Sequence, residues 1–315
     1  MGNQRCSSMC SMGKCEMGKT TQKTTHCFGF VVLHYLVDEE TTQCVESIRK
    51  HCASAVAAGQ QYKIVIVDND SANGSYERLC QRYGDDDDIV LLHNRANEGF
   101  ARGNNIGYAY CRAQLGCDYI VILNNDVVLA DDNCIRQAVE DYAATGCAVI
   151  GPDIISGKDG SHQNPMSAVV DSPQQIAALR KHIRRNLLLL HTHLYRVFER
   201  IKQRDVNTPT ETKKTAVHQP CVPVKLHGSC LIFTPAFLSV FDEPFDPGTF
   251  LYMEEDILVL RCKQHGLTMY YDPRIVVRHA EDASTEAQVN HNRRQKQINY
   301  LRHHRDSLRV VERYI

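Results

Sequence analysis

The chain has 315 residues, with 36 Lys and Arg against 37 Asp and Glu, for a formal charge of −1. A near-neutral balance gives no support to nucleic-acid binding, where a basic excess is the rule. A hydrophobic content of 43% with 23% charged residues excludes wholesale disorder. No apolar run reaches the roughly 18–20 residues that a membrane-spanning helix needs. The N-terminal stretch lacks the apolar core of a signal peptide, so a cytoplasmic protein is expected. The 14 cysteines are scattered without a C-x-x-C pair, which reads as reduced thiols rather than a disulfide scaffold.

Residues 1–26 are rich in Met, Ser, Lys, Thr and Gly without apolar periodicity, and are expected to form a disordered tail. Order is predicted to begin at Phe28, where FGFVVLHY reads as a buried strand. A helical pattern over 38–58 follows, then the β-branched strand YKIVIVD (62–68), a helix over 75–83 and a strand at 89–94. The glycine-rich NEGFARGNN reads as a loop leading into a helix at 106–115. DYIVILNND (118–126) is a further strand, followed by a helix at 131–144 and the strand CAVIGPD (147–153). Alternating strands and helices with near-continuous apolar strands predict an α/β fold with a mainly parallel sheet flanked by helices.

The second half departs from this rhythm. Ile176, Leu179, Ile183, Leu187, Leu190, Leu194, Val197 and Ile201 recur at three- and four-residue steps, predicting one long basic amphipathic helix. It lies inside an insertion spanning 155–220, and its alternating faces allow peripheral contact with the inner face of a membrane. Packing of its apolar stripe on the core is the favoured alternative. KLHGSCLIF (225–233), a helical turn after Pro235 and the segment FDEPFDPGTFLYMEEDILVLRCKQHG come next. Strands at 267–271 and 275–278 and a basic helical tail at 286–315 complete the chain.

Ligands of parallel sheets bind beyond the carboxyl ends of the strands. Those ends here carry Tyr35, Asp68-Asn69-Asp70, Asn94–Asn105 and Asn124-Asn125-Asp126. Such a concentration of Asp and Asn suits a polar ligand and a hard cation. His279 follows the strand at 275–278, and imidazole favours Mn²⁺ over Mg²⁺. Glu254, Glu255 and Asp256 open a helix, where acids complement the dipole or one of them serves as a general base. Neither a G-x-G-x-x-G after a strand nor a P-loop is present.

Taken in order, VVLHY, IVIVDNDSANGS, NRANEGFARGNNIG, YIVILNNDV, HGSCLIF, FLYMEEDILVLRCKQHG and YYDPRIVVRHAEDAS resemble family 2 glycosyltransferases, closest to the bacterial rhamnosyltransferase-like and capsular branch. The likeness covers about 28–285, apart from 155–220. It implies the GT-A fold: a Rossmann-like sheet flanked by helices in a domain over 27–285, with the inserted helix and a C-terminal helix. It also implies inverting, metal-dependent transfer of a sugar from a nucleotide-diphosphate sugar to a saccharide or lipid-linked saccharide acceptor, in cell-surface polysaccharide synthesis.

Position by position, Asp68 matches the acid that contacts the donor base or ribose, and Gly99, Phe100 and Asn104 match the loop flanking the nucleotide. Asn124 and Asp126 match the D-x-D motif, with Asn in place of its first Asp, so the metal (Mn²⁺ or Mg²⁺) falls mainly to Asp126. His279 matches a histidine that completes the metal site in some members. The acidic triplet matches the catalytic-base motif. Spacing to Arg261 and Pro273 selects Glu255, whereas the literal E-D dipeptide selects Asp256, and both stay open. An inactive nucleotide-sugar-binding module on the same fold and a nucleotidyltransferase are the alternatives.

Overall fold

The structure is a computed structural model that describes residues 25–192, 216–281 and 292–315. Most of the 1–26 tail lies outside the described residues. The first half runs β1 (Cys27–His34), α1 (Asp38–Ala57), β2 (Gln61–Asp68), α2 (Ser75–Tyr83), β3 (Ile89–His93), α3 (Gly99–Ala113), β4 (Tyr119–Asn124), β5 (Val127–Leu129), α4 (Cys134–Thr145) and β6 (Val149–Ser156). The second half runs α5 (Pro173–His191), β7 (Cys230–Phe233), α6 (Pro235–Leu238), α7 (Glu254–Gln264), β8 (Met269–His279) and α8 (Arg293–Val311).

One eight-stranded sheet has the order β3-β2-β1-β4-β7-β6-β8-β5. β3, β2, β1 and β4 are parallel; β7 runs antiparallel to β4 and β6, and β5 antiparallel to β8. Period-two alternation explains why both faces are buried. Phe28, Phe30 and Val32 of β1 point into one cluster with Cys44, Val45 and Ile48 of α1. Val31 points into the opposite cluster with Ala101 and Tyr108 of α3 and Phe237 of α6.

The register sets the site. Leu33 of β1 pairs with Asn124 of β4, and His34 pairs with Asp68 of β2. The residues just past these strands therefore emerge side by side. Antiparallel pairing of Val127 with His279, and donation from the Ala280 amide to the Asp126 carbonyl at 2.9 Å, bring the end of β8 to the same place.

Three expectations are corrected. The helix predicted from residue 106 begins at Gly99, because its glycines are packing positions rather than loop markers. A Cβ on Gly107 would meet a Val31 methyl at 2.4 Å and one on Gly103 a Leu33 methyl at 2.6 Å, so α3 lies close on the sheet. The strands expected at 267–271 and 275–278 are one strand, β8, which absorbs Pro273 through a register shift opposite Pro152 and Asp153. The long amphipathic helix stops at His191. Thr192 takes extended dihedrals, and its hydroxyl donates to the Leu189 carbonyl at 3.1 Å while Arg294 Nε donates to that of Leu190 at 3.0 Å. Leu194, Val197 and Ile201 lie outside the described residues.

The apolar stripe of α5 packs as Ile176, Ile183 and Leu190 against Ile257 and Leu260 of α7 and Ile298, Leu301 and Leu308 of α8. Its start is set by Pro173 at the first position and by Ser172, whose hydroxyl accepts from the Gln175 amide at 3.4 Å. The Asp171 amide in turn donates to Gln175 Oε1 at 3.0 Å. Among the described residues, no helix is long and apolar enough to cross a membrane.

Candidate active site

A cavity of about 380 Å³ opens at the carboxyl ends of β1, β2 and β4. Gly99, Phe100, Asn124, Asp126 and His279, all singled out in the sequence, line it together. Asp126 and His279 face each other, with His279 Nε2 3.3 Å from Asp126 Oδ1, and both side chains are nearly buried. His279 Nδ1 lies 2.9 Å from Gln163 Oε1. That amide oxygen only accepts, so Nδ1 donates to it, which leaves Nε2 facing the carboxylate. Two electron-pair donors at that separation suit a cation between them, with Gln163 fixing the ring as outer partners of metal-binding histidines do. Among the described residues, no group of three or more His, Cys, Asp or Glu side chains is arranged to hold an ion unaided. One carboxylate and one imidazole fit an ion that completes its coordination with water and ligand phosphates.

The loop flanking the cavity is built on Asn69. Its amide donates to Asn97 Oδ1 at 3.1 Å and to the Gly99 carbonyl at 3.0 Å, while its oxygen accepts from Asn94 Nδ2 and from the Glu98 amide. Gly99 has φ +75°, and a Cβ there would lie 2.3 Å from the Phe250 carbonyl, so glycine is required on both counts. The adjacent Phe100 amide donates to that carbonyl at 2.7 Å, drawing the chain around Phe250 over the cavity.

Asp68 and Asn104 do not line this cavity. Asp68 is fully buried; it accepts from the Ser71 amide at 3.2 Å and pairs with His93 Nδ1 at 2.8 Å. Its Oδ1 has no hydrogen-bond partner. Asn104 is fully buried within α3 and donates to the Phe100 carbonyl at 3.0 Å. Both side chains are buried behind the walls of the site, and their neighbours Asn69 and Phe100 line the cavity. His34, at the end of β1, is also fully buried, held by Thr41 and Ser75 hydroxyls at 2.8 Å each. Burial pushes its pKa down to about 4, so it is neutral at pH 7.

The acidic triplet separates into three environments because successive helical residues project about 100° apart. Glu254 is 3% exposed, its Oε1 has no hydrogen-bond partner, and burial next to Glu255 pushes its pKa up to about 8. Asp256 is buried against Lys225 Nζ at 2.9 Å and accepts from the Val170 amide at 2.7 Å. Burial raises its pKa, and the lysine opposes that rise. Glu255 is only half-buried, and its Oε1 accepts from the Gly228 amide at 3.2 Å. It thereby stands beside His227, which lines the cavity. Of the two acids left open by the sequence, Asp256 is committed to a buried ion pair and Glu255 keeps access to solvent.

Several cavity residues carried no signal of their own in the sequence. Gln163 comes from the inserted region, and Glu281 follows β8, where it accepts a hydrogen bond from Ser156. His227 stands within a motif that did resemble the family, KLHGSCLIF, but only pairing of β7 with β4 brings it to the site. Phe250 and Tyr252 precede α7, and Tyr252 and Met253 take φ of 72° and 71°. Consecutive left-handed non-glycine residues are costly, about 1–3 kcal/mol each, and such strain gathers at functional sites.

Known proteins share the family pattern and the fold. The sequence pattern of the glycosyl transferase family 2 matches residues 30–207, more than half of the chain. A hexosyltransferase of low-salt glycan biosynthesis, Agl10 of Haloferax volcanii, is 28% identical over 94 residues, 30% of this chain and 29% of that protein. Among solved structures, GalNAc-T7 with UDP, GalNAc and Mn²⁺ superposes with a TM-score of 0.55 at 14% identity, covering 81% of this chain and 44% of that one. S. aureus TarS gives 0.51 at 12% identity, covering 80% of this chain and 36% of that one. The chain thus spans less than half the length of each of these proteins, and the two structural likenesses speak for the fold. With the pattern matched over most of the strand-end site, the chain belongs to glycosyltransferase family 2 and has the GT-A fold.

Proposed function

We propose that the protein is an inverting, metal-dependent transferase that moves a sugar from a nucleotide-diphosphate donor to a hydroxyl of a saccharide or lipid-linked saccharide, in cell-surface polysaccharide synthesis. The observation that carries this reading is the Asp126–His279 pair facing one strand-end cavity, 3.3 Å apart, with the ring held by Gln163. Asp126 and His279 would hold the ion, Mn²⁺ or Mg²⁺. When bound, such an ion offsets the charge of a departing diphosphate as a Lewis acid. The GalNAc-T7 structure was solved with UDP and Mn²⁺, which supports a nucleotide donor and a divalent ion here.

The rest of the reaction falls to side chains of this chain. Asn69 and Gly99 shape the wall against which the nucleotide lies. Glu255 takes the proton of the acceptor hydroxyl as its oxygen attacks the anomeric carbon. The bond from that carbon to the diphosphate oxygen breaks, and the nucleotide diphosphate leaves with the electron pair. Attack from the face opposite the leaving group inverts the centre. Phe250 and Tyr252 cover the cavity and exclude water. Any membrane contact is peripheral and runs through the basic outer face of α5.

A panel of nucleotide sugars with Mn²⁺ tests the reading. At least one donor should be hydrolysed slowly without acceptor, and hydrolysis should fall sharply in Asp126→Ala. Absence of turnover with every donor would favour the inactive binding module.

A further inference from the structure

The C-terminal helix α8 brings a row of rings to the mouth of the cavity. His303 stacks under Phe250 with centroids 5.0 Å apart and planes 16° apart, and His304 stacks under Tyr252 at 4.4 Å and 25°. Tyr300 leans on both, 4.9 Å from Tyr252 and 4.1 Å from His304. Phe250 and Tyr252 belong at once to this row and to the cavity lining. The row nevertheless stays partly open: Phe250 is 39% and Tyr300 43% exposed. The loop that carries Phe250 and Tyr252 runs straight into Glu254 and Glu255 of α7. The position of His304 beneath Tyr252 also puts it within the field of Glu255.

We propose that Phe250, Tyr252 and Tyr300 form a stacking platform for the sugar acceptor, continuous with the donor cavity and ending at Glu255. This rests on the donor-site reading above. The chemistry selects the occupant. A pyranose has a face of C–H groups that lies well on an aromatic π-face, and a rim of hydroxyls that needs polar partners. The platform offers both, because its ring faces stand beside the Tyr300 hydroxyl and the imidazole of His304, whose Nδ1 already meets the Tyr300 carbonyl at 3.0 Å. A hydrocarbon chain would bury the Tyr300 hydroxyl without a partner. A sugar lying on Tyr252 and Tyr300 would turn a rim hydroxyl toward the α7 carboxylates. Tyr300 is thereby an acceptor-binding residue, contributed by an element outside the segment that the family pattern matches.

The test is saturation-transfer NMR on the full chain loaded with UDP and Mn²⁺. The probes are the methyl β-glycosides of glucose, galactose and N-acetylglucosamine. Wild type should give a signal with at least one glycoside. Tyr300→Ala should weaken that affinity about tenfold, and Tyr300→Phe, which keeps the ring face, should hold it within about twofold. UDP affinity should stay within about twofold in both variants, which also shows that they are folded. The proposal is overturned if UDP-loaded wild type binds none of the glycosides. It is overturned equally if Tyr300→Ala binds the glycoside as wild type does, or loses UDP affinity in parallel, which would make Tyr300 a scaffold residue. Failure of wild type to bind UDP at all is a separate result, which removes the donor-site reading and the platform with it.

Discussion

At the residue scale, the triplet Glu254–Asp256 shows how three neighbouring acids acquire different chemistry from burial and from the charges beside them. Glu254 is the clearest case for pH. Its folded pKa is raised from 4.5 to about 8, so the folded chain keeps a proton that the unfolded chain has lost between those values. Stability is therefore fully present below about pH 4.5 and falls as pH rises through 8. Thermal melts of wild type and Glu254→Gln from pH 4 to 9 should converge at the acid end, with the variant melting higher above pH 7; parallel curves would remove Glu254 from the pH response. Asp256→Asn should cost roughly 3–5 kcal/mol of stability, because it strands buried Lys225 without its partner. Glu255→Gln should leave stability and donor affinity near normal and lower kcat by about 10²–10⁴. Urea melts paired with single-turnover rates separate the two roles. Near-normal turnover in Glu255→Gln would remove it from the proton transfer.

At the scale of elements, the close seat of α3 on β1 and β2 is the feature that the sequence hid. Glycines at 99, 103 and 107 look like loop punctuation in one dimension. In three dimensions Gly103 and Gly107 mark a helix face pressed onto Leu33, Val31 and Val67. Gly107→Ala should cost about 1–3 kcal/mol through overpacking, read from denaturant midpoints. Gly99→Ala should instead disturb the cavity, since its Cβ would strike the Phe250 carbonyl; nucleotide affinity should fall more than stability does.

The central strands were legible because short, near-continuous apolar runs between helical patterns suit a sheet buried on both faces, and so were the Asn and Asp residues at their ends. Gln163, His227 and Tyr300 were not. Each reaches its position only through long-range pairing or helix docking, and no local pattern encodes that. The stop of α5 at Thr192 was equally hidden, because the apolar period of the sequence runs on past it.

At the scale of the molecule, α5, α7 and α8 form a third layer whose apolar core, from Ile176 to Val311, consumes the described stripe of α5. The exposed side of α5 keeps Lys181, Arg184 and Arg185. Attraction to anionic vesicles, where it occurs, should therefore be electrostatic and vanish at high salt. Vesicle sedimentation that persists at high salt would point to apolar insertion instead. The same layer sets the ring row of α8 against Phe250 and Tyr252 of the cavity lining, so that residues from opposite ends of the chain meet beside the strand-end pocket. Asp126 and His279 are proposed to make this pocket a metal-dependent nucleotide site. Calorimetric titration of UDP into wild type and Asp126→Ala, each with Mn²⁺ and with EDTA, tests it most directly. Wild type should bind UDP much more tightly with Mn²⁺ than with EDTA, and Asp126→Ala should bind weakly in both. Equal Mn²⁺ dependence in the two proteins would contradict the claim.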